Sequence, residues 1–76
     1  MQKQAVSEKQ VHDALQLIVD NRDEKALNYA FMYAFYGLEM SGAELVLQCR
    51  YVLSNMTSWR GETAKSVREV LKAFVK

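Results

Sequence analysis

Proline is absent from this chain, and glycine occurs only at Gly37, Gly42 and Gly61. Helices can therefore run unbroken except near those three points, since no residue removes a backbone donor and few residues weaken a helix interior. Cysteine occurs once, at Cys49, and histidine once, at His12. A lone thiol can close no intrachain disulfide and builds no paired-thiol metal cage, which fits a reducing compartment such as a bacterial cytoplasm. No apolar stretch approaches the roughly 18 residues of a membrane span. No charged leader followed by an apolar run opens the chain either, so the expectation is a soluble, unexported protein without a membrane partner.

Of the 76 residues, 50% are hydrophobic and 25% charged, with a formal net charge of +1. That is the balance of a globular domain, and the length suits one core. Long stretches of Ala, Leu, Glu, Lys, Gln and Met favour helix. A core of this size leaves roughly 3–5 kcal/mol of net stability. With disulfides and metals excluded, self-association is the remaining means of reinforcement. Charge is unevenly spread: residues 1–49 carry four basic against seven acidic side chains, a net −3, and residues 50–76 carry six against two, a net +4.

Apolar periodicity and cap signals predict one all-α domain over residues 1–76, a compact four-helix bundle or helical array, with residues 1–6 frayed. Ser7 and Gln10 have capping-box spacing ahead of Val11, Ala14, Leu15 and Ile18, so a first helix is expected over Glu8–Asp20. The polar cluster Asp20-Asn21-Arg22-Asp23 interrupts it, and Asn21 with Glu24, or Asp23 alone, can cap a second helix reaching about Met40. Ser41 and Glu44 repeat the cap spacing, Gly42 relaxes the junction, and a third helix is expected to about Ser58. Gly61 is a left-handed stop, after which Ala64, Val67, Leu71 and Phe74 mark a fourth helix to the C-terminus. Short connections favour antiparallel neighbours.

The second helix is apolar nearly all round. One arc holds Ala26, Ala30 and Ala34 with Gly37, flanked by Leu27, Phe31, Phe35 and Leu38, a face small enough for close helix approach. The other holds Tyr29, Met32, Tyr33, Tyr36 and Met40. In the more ordinary reading the other helices cover this second arc and only the tyrosine hydroxyls reach water. In the functional reading it stays open as an interface for a protein partner or another copy, because Tyr and Met are enriched at interface cores. On the third helix Leu45, Cys49, Val52 and Met56 form the core stripe, whereas Leu47 and Tyr51 point away and extend the candidate contact surface.

Lys65, Arg68, Lys72 and Lys76 share one side of the fourth helix, and Arg60 precedes it. The ordinary account is a solvated face. An acidic protein surface or a nucleic acid is the less favoured alternative, since the chain as a whole is nearly neutral and the helix offers no Asn or Gln for base edges. Trp59 before the glycine turn reads as a core anchor. His12 lacks a metal-sharing neighbour one turn away, and Cys49 reads as a buried small hydrophobe. No phosphate loop, paired-cysteine motif or nucleophile elbow is present, so no enzyme, cofactor, metal or small-molecule substrate is expected.

The segment Tyr51-Val52-Leu53-Ser54-Asn55 followed by Trp59-Arg60-Gly61-Glu62-Thr63-Ala64-Lys65 resembles small uncharacterised phage and prophage proteins. The resemblance covers about a third of the chain and brings no assigned activity or functional residue. It implies an accessory protein that acts by binding and occluding a protein partner.

Overall fold

A computed structural model describes residues 6–76, and the expected fraying of the N-terminus otherwise falls on residues 1–5, outside the described part. Val6 is half-buried and packs on the core. Four helices follow: α1 over Glu8–Asp20, α2 over Ala30–Gly37, α3 over Gly42–Ser54 and α4 over Glu62–Val75, with a 3-10 turn at Lys25–Leu27 between α1 and α2. No strand occurs among the described residues.

α1 begins where its cap signal puts it. The Ser7 hydroxyl accepts from the Gln10 amide at 3.2 Å, and the Gln10 side chain accepts in return from the Ser7 amide at 2.9 Å. Two of the orphan donors of the first turn are thereby satisfied. The helix buries Val11, Ala14, Leu15, Ile18 and Val19. It ends at Asn21, whose side-chain amide donates to the Leu17 carbonyl at 2.8 Å, while the Arg22 guanidinium donates to the Val19 carbonyl.

The second rod is shorter than its apolar pattern predicts. Its α-helical part has eight residues, and both flanks tighten into i→i+3 hydrogen bonds, Leu27 to Glu24 and Asn28 to Lys25 on one side and Glu39 to Tyr36 and Met40 to Gly37 on the other. No side chain caps the turn at Glu24, so the cap expected from Asn21, Asp23 or Glu24 is not used. Tighter winding at the C-terminal flank rotates each following residue further round the axis.

Ser41 makes no capping bond either, although its spacing to Glu44 matches that of Ser7 to Gln10. Gly42 has φ +60, a backbone conformation that disfavours other residues, and its amide donates instead to the Glu8 carboxylate at 2.9 Å. One carboxylate in the first turn of α1 thus satisfies the start of α3. The third helix ends at Ser54, four residues before the expected Ser58. Beyond Asn55 the chain turns inward, burying Met56 and Trp59, until Gly61 at φ +115 starts α4.

Each helix packs mainly on two neighbours, α1 on α2 and α4, and α3 on α2 and α4, closing a ring of four. Inside it lies one core that includes Leu15, Ile18, Leu27, Leu45, Cys49, Val52, Met56, Trp59, Val67 and Leu71. The radius of gyration is 11.4 Å, matching the value of about 11.4 Å expected for a compact chain of this length.

Candidate interaction surface

α2 meets its neighbours through its smallest residues. Ala30, Ala34 and Gly37 lie on one side and are buried. A β-carbon placed on Gly37 would stand 2.9 Å from Leu15 Cδ1 and 3.3 Å from Gln48 Cγ, so α1 and α3 approach the helix backbone closely there. With its inner side held by two helices, the opposite side of α2 has no cover from the other described residues. Tyr29 is 70% exposed, Tyr36 58%, Met32 52% and Tyr33 37%. The covered arrangement, in which only tyrosine hydroxyls reach water, does not occur.

These four side chains line a shallow depression of about 260 Å³. α3 continues the surface sideways. Tyr51 stacks against Tyr33 with ring centroids 5.4 Å apart and planes tilted by 30°, and Leu47 stands exposed one turn earlier on the same helix. The Gln48 side-chain amide donates to the Tyr33 carbonyl at 2.9 Å and ties the two helices together beneath the rings.

Phe35 joins the patch. The apolar pattern sets it beside the small inner arc, yet it is half exposed and meets Tyr36 edge-on at 5.6 Å. Its angle shows why: at about 100° per residue it lies roughly 130° from the mean direction of Ala30, Ala34 and Gly37, outside the arc two neighbours can cover. Phe31, roughly 90° from that direction, is half-buried. Met40 departs from expectation the other way. α2 has ended before it, the tightened turn carries it inward, and it packs partly buried on the core, so it is not part of the exposed face.

Seven of the eight large apolar side chains exposed among the described residues therefore belong to α2, the Tyr29 that precedes it, and α3 at this surface, the eighth being Leu17 on α1. Taking about 200 Å² for a fully exposed aromatic residue and slightly less for Met and Leu, their exposed area is on the order of 700 Å².

The basic residues are dispersed by comparison. Lys65, Lys72, Lys76 and Arg60 are exposed. Arg68 is half-buried, and its Nη2 donates to the carbonyls of Met56 at 3.1 Å and Trp59 at 2.7 Å. It serves the loop before α4, which removes it from a simple row of free cations.

The groups suited to chemistry lie elsewhere and apart. Cys49 is buried in the core, and burial pushes its thiol up from 9.0 to about 11, holding it in the unreactive protonated form. His12 is half-buried, and its Nε2–H donates to the Met40 carbonyl at 2.9 Å, pinning the junction before α3 to α1. Among the described residues, no three of His, Cys, Asp and Glu gather where they could hold one metal ion. No helix among the described residues is long and apolar enough to cross a membrane.

Comparison of the chain with protein families, with curated proteins and with solved structures finds no match in any of the three.

Proposed function

We propose that this chain is a small binding protein without catalysis of its own, and that it docks a protein partner on the surface formed by Tyr29, Met32, Tyr33, Phe35, Tyr36, Leu47 and Tyr51. One observation carries the reading: these seven side chains stand exposed together. Their combined exposed area, tyrosine hydroxyls included, is on the order of the roughly 300–600 Å² of the largest patch on a typical monomer, which is often functional. Rigid tyrosines provide contact area with few torsions to immobilise, and Met32 adapts to the opposing shape. An accessory role in a phage or mobile element, masking a surface of a host or phage component in the cytoplasm, suits a compact protein whose binding face is broad and has only a shallow depression. The basic side of α4 supports a nucleic-acid partner less well, because Arg68 is already engaged by two carbonyls.

Affinity capture from cells of the natural host, with identification by mass spectrometry and re-binding of the purified partner, tests the reading. Tyr36→Glu should weaken that binding at least tenfold while leaving the melting curve unchanged, since Tyr36 is outside the core. Lys72→Glu should leave it unaffected. Undiminished binding by a folded Tyr36→Glu variant overturns the assignment.

A further inference from the structure

We propose that the occupant of this surface is a second copy of the chain, with the two α2 helices packed antiparallel about a twofold axis between Met32 and Tyr33. The inference rests on the reading of the surface as a binding face and names what binds there. An isologous interface requires a surface that maps onto itself when turned end to end. The outward stripe does so: its residues stand at 29, 32, 33 and 36, with intervals of three, one and three. Reversal about the midpoint sets Tyr29 against the partner's Tyr36 and Met32 against the partner's Tyr33, so rings meet rings at the edges and the adaptable methionines fill the centre.

Charge supports the same direction. The charged residue nearest the stripe on its N-terminal side is Lys25, with Asp23 and Glu24 just before it, and on its C-terminal side it is Glu39. Both Lys25 and Glu39 are exposed, and neither is ion-paired within the protomer, where the salt bridge among described residues is Lys9 with Asp13. An antiparallel pair brings Lys25 beside the partner's Glu39 at each end. A parallel pair would oppose lysine to lysine and glutamate to glutamate. The twofold also sets the α3 flanks side by side, so that Tyr51 and Leu47 close one edge of the contact.

Area fits as well. The seven exposed residues offer up to about 700 Å² per protomer, against the roughly 800 Å² that each partner contributes to a standard stable interface. A 76-residue chain with a single free cysteine has no disulfide to supplement its core, so burial of this patch in a dimer supplies what the protomer lacks.

Sedimentation equilibrium at low salt, from micromolar to millimolar protein, provides the test. The wild type should reach a dimer and go no higher, and Tyr36→Glu should remain monomeric with an unchanged circular-dichroism melt at low concentration. Lys25→Glu and Glu39→Lys should each weaken the dimer on the order of tenfold, and the double variant should recover most of the loss. A wild type monomeric throughout overturns the inference. So does a dimer indifferent to Tyr36→Glu, or one that Tyr36→Glu dissociates but the double charge exchange does not restore. If a monomer binds another protein and loses it on Tyr36→Glu, self-pairing fails while the surface reading stands.

Discussion

Arg68 and Cys49 illustrate how little residue type alone says about a side chain's work. Arg68 belongs by spacing to the basic side of α4, but its guanidinium holds the carbonyls of Met56 and Trp59 where α3 has ended and the chain folds inward. Arg68→Ala should lower stability by about 1–3 kcal/mol, because two carbonyls lose a charged donor. Lys72→Ala, at an exposed position, should stay within about 0.5 kcal/mol. Urea unfolding of the two variants checks the contrast, and equal midpoints would refute it. For Cys49 the sign follows from burial. The unfolded thiol ionises near 9.0 and the folded one near 11. Between those values the unfolded chain releases a proton that the folded chain keeps, so stability is intact below pH 9 and falls as pH rises, by about 1.4 kcal/mol per unit. The prediction is therefore a difference: from pH 8 to 10.5 the urea midpoint should fall more steeply for the wild type than for Cys49→Ala, and parallel slopes would remove the cause assigned here.

At the scale of elements, two helix starts with similar sequence signals are held in different ways. Ser7 and Gln10 form a reciprocal capping box. Ser41, with Glu44 at the same spacing, makes no capping bond, and that helix start is held instead by the Glu8 carboxylate on the Gly42 amide. Ser7→Ala should therefore cost about 1 kcal/mol in thermal or denaturant unfolding, whereas Ser41→Ala should shift stability by less than about 0.5 kcal/mol. A serine oxygen reveals its capping potential in the sequence. Whether that oxygen turns onto the helix, and which group of another helix holds the junction instead, is a matter of tertiary geometry. α2 shows the same division: its apolar run announces a helix, but the pattern does not mark where α-helical winding yields to 3-10 turns, and it extends past the α-helical part at both ends.

For the molecule as a whole, the ring of four helices gives α2 a buried side and an open side with equally apolar compositions but opposite energetic roles. Trp59 closes the core beside Met56 and is 5% exposed. Trp59→Ala should cost about 3–5 kcal/mol, comparable to the whole net stability of roughly 3–5 kcal/mol expected for a domain of this size, and should leave the chain largely unfolded at 25 °C by circular dichroism. Tyr29→Ser, although it also removes a large ring, should leave the melting temperature of the dilute protomer within a few degrees, because Tyr29 is 70% exposed. A severe loss with Tyr29→Ser would mean that the ring is buried after all.

The sequence by itself determined the helical class, both bounds of α1, the inward residues of α1 and α4, the burial of Cys49 and Trp59, and the two-sided character of α2, because helical periodicity and cap chemistry are local properties. It also set Tyr29, Met32, Tyr33, Tyr36, Leu47 and Tyr51 apart from the core stripes, while leaving open whether other helices cover them. Only the tertiary structure decided that Tyr33 meets Tyr51, that Phe35 joins them, that Met40 turns inward, and that Arg68 serves a loop. The physical reason is coverage. A side chain's direction follows from the winding of its own helix, but whether that direction leads to water, to a neighbour or to an unsatisfied carbonyl depends on which helices arrive there, and this chain brings α1 and α3 to only one side of α2.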